Sequence, residues 1–139
     1  MKIKIKKTHS EAQIPKYAKQ GDAGMDLIVT RIKKGLFKDV CYFGLSIETP
    51  DNYFVDLRPR SSIHKKHLWL SNSCGTGDSG YRGEYSAVFY KIPFLSKSYK
   101  IGEKAIQIII RKFEKVEFIE SSELSESERG SGGYGSTGE

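Results

Sequence analysis

The segment 72–83 places four glycines within nine residues, around one carboxylate and one aromatic ring. Glycines at this density let the backbone turn sharply and let a ligand approach main-chain amides and carbonyls. The segment could therefore hold a ligand close to its backbone, with the Asp78 carboxylate and the Tyr81 ring nearby. The same pattern is also typical of a plain glycine-rich hairpin, in which Asp78 caps its own turn and Tyr81 is a core aromatic.

Polar residues stand at three other unexpected places. Gln107 interrupts the apolar run 105–110, and Asp26 lies between Ala-Gly-Met and Leu-Ile-Val. A buried amide has to be hydrogen-bonded, so Gln107 contacts either a ligand or the core. Ser61 and Ser62 open the one predicted helix, at 62–67, where either is a candidate N-cap or a ligand-binding hydroxyl.

Length and composition predict a single soluble domain. The chain has 139 residues, 37% hydrophobic and 29% charged, with no apolar run long enough to span a membrane. The net charge of +6 suits an anionic ligand, and because the lysines are dispersed we favour a basic solvated surface over a nucleic-acid face. The N-terminus lacks a signal-peptide core, and Cys41 and Cys74 form no disulfide framework. We therefore expect a reducing, cytoplasmic location.

Most of the chain reads as short strands separated by turn signals, which predicts an all-β sandwich or barrel. The strand-like runs are 2–6, 25–32, 40–47, 53–57, 68–70, 84–91, 105–111 and 116–119, and Trp69 is expected in the core. After Ile119 the chain becomes polar, acidic and then glycine-rich. We therefore predict a domain over 1–120 and a flexible arm over 121–139.

The arm contains Gly-Ser-Gly-Gly-Tyr-Gly at 130–135, which formally matches a dinucleotide fingerprint. No strand precedes it and no helix follows, so that reading fails. The arm is either a flexible linker or an anion-binding segment, since Arg129 could clamp an anion and Tyr134 could stack on a ring.

Five segments, in order, resemble the five motifs of the trimeric dUTP diphosphatase (dUTPase) family. They are Ala-Gly-Met-Asp-Leu at 23–27, Arg-Pro-Arg-Ser-Ser at 58–62, the hairpin 72–83, Gly-Glu-Lys-Ala-Ile-Gln at 102–107 and the arm 129–138. The resemblance implies a jelly-roll-like β-barrel that assembles as a homotrimer. It also implies Mg²⁺-dependent hydrolysis of dUTP to dUMP and pyrophosphate, which keeps uracil out of DNA.

The resemblance assigns a role to each candidate residue. Asp78 corresponds to the carboxylate that activates the attacking water. The uracil and deoxyribose contacts correspond to Asn72, Thr76, Gly77, Tyr81 and Ser86, and the phosphate contacts to Arg60, Ser61, Ser62 and Gln107. Asp26 would reach the magnesium ion through water. Arg129, Tyr134 and Gly135 would close over the nucleotide from a neighbouring subunit, so that each site draws on three chains.

The chain also departs from the family pattern. Gly77 stands where an aliphatic residue is usual, so we expect a loosened hairpin. The similar dCTP deaminases need a glutamate as proton carrier at the position of Val88, which disfavours deamination. A dUTP-binding regulatory protein of the same fold remains an alternative, whereas an OB-like nucleic-acid module would need aromatic and basic residues interleaved on one face.

Overall fold

The computed structural model describes residues 1–133, so Tyr134 and Gly135 lie outside the described part. That part contains ten strands and one six-residue 3-10 helix, Ser61–Lys66. The strands are β1 (Lys4–Lys7), β2 (Met25–Ile28), β3 (Arg31–Lys34), β4 (Lys38–Tyr42), β5 (Leu45–Glu48), β6 (Tyr53–Pro59), β7 (Leu68–Leu70), β8 (Gly75–Gly77), β9 (Ser86–Lys91) and β10 (Lys104–Lys112).

The strands form two four-stranded sheets and one two-stranded sheet, and every pairing is antiparallel. The first sheet has the order β2-β10-β6-β8, the second has the order β3-β4-β9-β7, and β1 pairs with β5. The all-β prediction is confirmed. Within residues 1–133 the hydrogen-bonded ladders do not join into one closed barrel, contrary to the expected closure.

One hydrophobic core draws side chains from all three sheets. Strands β4 and β5 alternate buried and partly exposed residues, as expected for strands with one face against a core. Leu27, Phe43, Val55, Phe89 and Ile106 are almost completely buried. Complete burial of such a side chain contributes about 1.5–3 kcal/mol, so this core is the main force that holds the sheets together.

Two predicted strands are each divided in the structure. The run 25–32 breaks where Val29 donates to Glu103 O (2.9 Å), beside the first sheet, and Thr30 donates to Tyr42 O (2.9 Å), beside the second. The chain therefore changes sheets between these two residues. The run 40–47 breaks at Gly44, whose φ of +65° and contact with His9 and Ala12 leave no room for a side chain.

Several details of the sequence prediction are wrong. The segment 116–119 is not a strand, and its apolar side chains are exposed. Trp69 is 48% exposed and packs against Tyr90 rather than in the core. The 3-10 helix has Arg60 as its N-cap and no side-chain cap bond, so neither Ser61 nor Ser62 caps it. Strand β8 was missed because two of its three residues are glycines.

The last strand ends at Lys112. The division into 1–120 and 121–139 stays a prediction. Among the described residues, no helix has the length and apolar character that crossing a bilayer requires.

A buried ion pair joins β4 to the end of β9. Asp39 is 1% exposed, and its Oδ1 accepts hydrogen bonds from Lys91 Nζ (2.9 Å) and Gly35 N (3.2 Å). Burial alone raises the pKa of Asp39, but contacts with Ser98, Lys91 and Gly35 outweigh burial and lower it overall. The charged carboxylate is thus the form that the fold stabilises.

We predict that Asp39→Ala lowers the free energy of unfolding at pH 7 by about 3 kcal/mol, because it leaves the Lys91 side chain, only 14% exposed, without a counter-charge. The pKa of Asp39 is lower in the folded state than in the unfolded state. Its contribution to the free energy of unfolding is therefore complete at pH values above the ordinary carboxyl pKa. It is lost as the pH falls through the lowered value, and the gap between variant and wild type should narrow below about pH 4. Urea denaturation measures both effects.

The matched control is Lys4→Gln, which removes an exposed pair with Glu48 and should change stability by no more than about 0.5 kcal/mol. An Asp39→Ala protein as stable as this control would contradict the assignment.

Candidate active site

A small cavity of about 170 Å³ opens where β6, β8 and the start of β9 meet. Its wall consists of Leu57, Asn72, Gly75, Thr76, Gly77, Tyr81, Tyr85 and Ser86. The structure therefore brings together the five base- and sugar-contacting residues expected from sequence: Asn72, Thr76, Gly77, Tyr81 and Ser86. This volume is below the range that encloses a drug-sized ligand, so the cavity suits one ring of a larger molecule.

The loop between β7 and β8 holds Asn72 against the cavity. Ser73 has a left-handed φ of 59° and donates to Leu70 O (3.1 Å), which turns the chain back on itself. Gly75 then passes so close to its neighbours that an added Cβ would lie 3.3 Å from Leu57 Cβ and 3.4 Å from Asn72 Nδ2. A glycine here leaves the backbone open to the close approach of a ligand.

Tyr81 lies at the open side of this cavity. Its ring covers Gly83, where an added Cβ would lie 2.6 Å from Cζ, and its hydroxyl donates to Glu84 O (3.0 Å). The side chain is 44% exposed, so the reading of Tyr81 as a core aromatic is wrong. The ring is thus held in place while one side remains accessible to a ligand.

Glu84 fastens the end of the hairpin to the rest of the fold. Its Oε1 accepts from Gly44 N (2.9 Å), and its Oε2 pairs with Arg31 Nη2 (3.0 Å). Arg31 in turn lies over the ring of Tyr42, 3.7 Å from the centroid. The glycine-rich hairpin is therefore anchored to the rest of the fold through the carboxylate of Glu84.

Asp78 directly follows β8 at the rim of the cavity. The residue is exposed, and its main-chain carbonyl accepts from Tyr81 N (3.0 Å), which closes a turn. Within residues 1–133 its carboxylate has no hydrogen bond or ion pair. Both carboxylate oxygens are therefore available to water.

Tyr85 is a cavity residue that sequence reasoning missed. Its ring edge lies against Gly77, so that a Cβ at position 77 would be 2.7 Å from Cε1 and in collision with the hydroxyl. The tyrosine ring fills the space that an aliphatic side chain at position 77 would occupy, and the loosened hairpin stays a prediction. Burial, with smaller contributions from Tyr81 and Asp78, raises the pKa of Tyr85 to about 12, so the phenol is neutral.

A cationic cluster, made of Asp26, Arg60 and Lys104, lies on the same sheet. Asp26 Oδ1 is 2.9 Å from Arg60 Nε, and Asp26 Oδ2 is 3.0 Å from Lys104 Nζ. Gln107 pairs with Asp26 in the β10–β2 ladder and with Arg58 in the β10–β6 ladder. Arg60 and Ser62 also line an open cavity of about 370 Å³. The structure thus groups four further residues that the sequence placed at the phosphates and the metal: Asp26, Arg60, Ser62 and Gln107. They lie on adjoining strands and at the start of the helix, and Ser61 lies between Arg60 and Ser62.

The dUTPase family model matches residues 10–138 of this chain. The chain belongs to the dUTPase family. Deoxyuridine 5'-triphosphate nucleotidohydrolases from Rickettsia massiliae and Clostridium kluyveri are each 38% identical to it. The alignment with the Rickettsia massiliae protein covers 98% of this chain and 96% of that protein. The alignment with the Clostridium kluyveri protein covers 99% of both.

Solved structures of the family share the fold. A Staphylococcus bacteriophage 80alpha dUTPase with bound dUPNHPP superposes with a TM-score of 0.86 at 24% identity, covering 99% of this chain and 98% of that one. A mutant dUTPase from phage phi11 of S. aureus, whose structure describes coordination of a structural Mg(II) ion, superposes with a TM-score of 0.75 at 19% identity. That alignment covers 91% of this chain and all of the other.

Magnesium is the metal implied by the dUTPase family, and the residues present fit it. No group of three His, Cys, Asp or Glu side chains capable of holding a metal occurs among the described residues. Asp26 Oδ1 is buried without an aligned hydrogen bond, although Arg60 is close. One carboxylate with an acceptor to spare suits a hard ion that keeps most of its water and is held chiefly by phosphates.

Other expected or overlooked residues have different outcomes. Arg129 is exposed and donates to Gly132 O (2.9 Å) within its own turn, apart from the cavity residues named above. Tyr134 and Gly135 are outside the described residues.

Three residues of the cavity and the cluster were not predicted from the sequence: Leu57, Gly75 and Lys104. Leu57 is an ordinary apolar strand residue, whereas Gly75 and Lys104 lie inside the recognised motifs, which is the signal that could have marked them.

We predict that Asp26→Asn binds inorganic pyrophosphate about fivefold more tightly than wild type in the presence of EDTA, a change of about 1 kcal/mol. The substitution removes the one negative charge between Arg60 and Lys104 and leaves two cations to attract the anion. Isothermal titration calorimetry measures the affinity. Asp51→Asn is the control, because Asp51 is exposed and lies beyond the opposite end of β6; equal affinities in all three proteins would contradict the prediction.

Proposed function

We propose that this protein hydrolyses dUTP to dUMP and pyrophosphate by attack of water on the α-phosphate, in the cytoplasm and with Mg²⁺. The observation that carries the proposal is the carboxylate of Asp78, which is exposed, has no partner within residues 1–133 and directly follows Gly77 in the wall of the cavity. Membership of the dUTPase family and nearly full-length relatives named as dUTP nucleotidohydrolases support it.

The cavity is proposed to bind uracil. The edge of uracil presents an acceptor, a donor and an acceptor, which main-chain groups of 76–78 and the Asn72 amide can complement. Ser86 begins β9 in the opposite wall and brings its backbone near the base. A cavity of about 170 Å³ leaves little space for the methyl group of thymine, so shape and hydrogen bonding would select the same base.

Tyr81 is proposed to select the sugar. Its ring lies at the accessible side of the cavity and is held by the Glu84 carbonyl and the close contact with Gly83. A deoxyribose can pack flat on this ring, whereas a 2′-hydroxyl would clash with it. Discrimination against UTP therefore follows from a fixed aromatic surface rather than from a hydrogen bond.

The cationic cluster is proposed to bind the phosphates. Arg60 can form paired hydrogen bonds to phosphate oxygens, Ser61 and Ser62 add hydroxyl donors, and Gln107 adds an amide beside the α-phosphate. Lys104 contributes a further positive charge on β10. Charges already fixed in place stabilise the negative charge that develops on the leaving pyrophosphate, and such stabilisation supplies much of the acceleration in phosphoryl transfer.

Asp78 is proposed to orient the attacking water and accept its proton. A carboxylate is a weak base toward water, so the geometric placement of the water contributes more than the basicity. When bound, Mg²⁺ neutralises phosphate charge and polarises the phosphoryl group, with Asp26 contacting its water shell.

A homotrimer with shared sites is proposed to complete the pocket. The apolar side chains Val116, Phe118 and Ile119 are 70–94% exposed in the single chain, which fits segments that pack on another subunit. Arg129 would then pair with the γ-phosphate, Tyr134 would stack on uracil and Gly135 would close over the phosphates. Cyclic symmetry makes the three sites equivalent.

Deamination is not favoured as a second function. Val88 lines a cavity of about 100 Å³ next to the uracil cavity, and no carboxylate occurs among the described residues of its wall. A deaminase needs a proton carrier at that place. For the compartment, Cys41 is buried and both cysteines are free, which agrees with a reducing environment.

We predict that Asp78→Asn reduces kcat for dUTP about 1,000-fold or more while the affinity for a non-hydrolysable dUTP analogue stays within about threefold, because the base and phosphate contacts remain. Pyrophosphate release and calorimetry provide the two readouts, with dTTP and UTP as comparison substrates. Wild-type turnover in the variant would refute the role of Asp78, and wild-type failure on dUTP would refute the function.

We predict that deleting 128–139 lowers kcat/KM for dUTP about 100-fold or more, because closure of the arm supplies both positioning and charge. Ordering such a segment costs about 2–5 kcal/mol, so closure should require the triphosphate. The trimer should persist by size-exclusion chromatography with light scattering. Arg129→Lys is the finer variant, since it keeps the charge but loses the planar fork. A truncated protein with normal turnover would show that the arm is a linker.

A further inference from the structure

We propose that Tyr85 and Gly77 are a matched pair, in which the tyrosine ring positions the catalytic turn by occupying the space of a side chain at position 77. Tyr85 is then a positioning residue that acts through Gly77 on Asp78. The inference deepens the proposed function and rests on Asp78 being the group that activates water.

Steric contact carries the first step. A Cβ at Gly77 would lie 2.7 Å from Tyr85 Cε1 and 2.8 Å from Cζ, and it would collide with the hydroxyl. Gly77 needs no unusual backbone angle, because it is absent from the glycines with positive φ. The glycine is therefore required by the ring beside it rather than by the conformation of the chain.

The two partners differ in how firmly the fold holds them. Tyr85 is 3% exposed, donates through its N–H to Leu45 O (2.8 Å) and accepts at its carbonyl from Phe43 N (3.2 Å). Its ring also meets the Tyr81 ring edge-on, with centroids 5.4 Å apart. Gly77 ends the three-residue strand β8, which pairs on one side only, with β6. The fixed ring thus supports a short edge strand.

The contact between Tyr85 and Gly77 lies next to Asp78, so it affects the chemical step. Asp78 is the next residue after Gly77, so a shift of β8 away from the ring moves the carboxylate relative to the phosphates. Misplacement of a reacting group by about 1 Å can cost about 100-fold in rate. The Tyr85 hydroxyl is buried and has no hydrogen-bond partner among the described residues, so the contact acts through shape.

A double-mutant cycle tests the pair. Gly77→Val needs the space that the ring occupies, Tyr85→Val vacates that space, and the double variant restores a packed contact with different side chains. We expect each single variant to lower kcat for dUTP about 30-fold. The cycle is evaluated on kcat, because both residues also line the proposed uracil cavity and KM changes with them. The double variant should recover at least about tenfold in kcat over the product of the single effects.

Further variants separate shape from other causes. Tyr85→Phe keeps the ring and should have at least about tenfold higher kcat than Tyr85→Val. Gly80→Val adds the same side chain where no atom lies within 4 Å of a Cβ, and its loss of kcat should be at least about tenfold smaller than that of Gly77→Val. Tyr90→Val makes the same truncation at an exposed position on β9. If Gly77→Val does not fold, Gly77→Ala replaces it, because its Cβ alone meets the ring.

The outcomes separate the inference from the function on which it rests. Wild-type release of pyrophosphate and its loss in Asp78→Asn are measured first, and failure there rejects the proposed function. With those results in hand, additive single effects, a change in KM alone, or a lowered thermal midpoint with kcat retained would each reject the matched pair. A Tyr85→Phe variant as slow as Tyr85→Val would also reject it.

Discussion

The ladder between β6 and β10 is the constraint on which both halves of the site depend. Seven residue pairs join these strands, from Ile106↔Pro59 to Lys112↔Tyr53. Strand β6 carries Leu57 in the wall of the cavity of about 170 Å³ and then leads into Arg60, whereas β10 places Gln107 opposite Asp26. A slip of one residue would turn Gln107 toward the opposite face of the sheet and expose its apolar neighbours. The register of this one ladder thus fixes Gln107 next to both Asp26 and Arg58.

Each of two carboxylates on this sheet holds two cationic side chains in place, so the charges are only partly neutralised. Asp26 holds Arg60 and Lys104 in defined positions, and Asp56, which is buried in the same ladder, holds Arg58 (2.9 Å) and Arg111 (2.7 Å). Carboxylates of this kind prevent repulsion among neighbouring cations and limit their side-chain freedom. A phosphate that displaces such a contact meets donors already oriented, which is the condition for electrostatic stabilisation of a transition state.

Residues that are close together in the sequence were easier to predict as neighbours than residues that the fold brings together. The grouping of Asn72, Thr76, Gly77, Tyr81 and Ser86 could be predicted because all five lie in one short stretch of the chain. The strand Leu68–Leu70 could be predicted from its apolar residues. The change of sheet at Val29 was not predictable, since the apolar pattern continues across it. Tyr85 was missed for the opposite reason, because its partner lies eight residues away and is a glycine, which has no side chain to suggest a contact.

The contact between Gly77 and Tyr85 also limits how this sequence can diverge. A larger residue at the first position meets an occupied volume, and a smaller residue at the second leaves a void, so either exchange alone is unfavourable. The two sites are therefore expected to vary together among descendants of this chain, through intermediates of lower fitness. A sequence comparison that scores each position separately would count Gly77 and Tyr85 as two unfavourable substitutions. In the structure they form one packed contact.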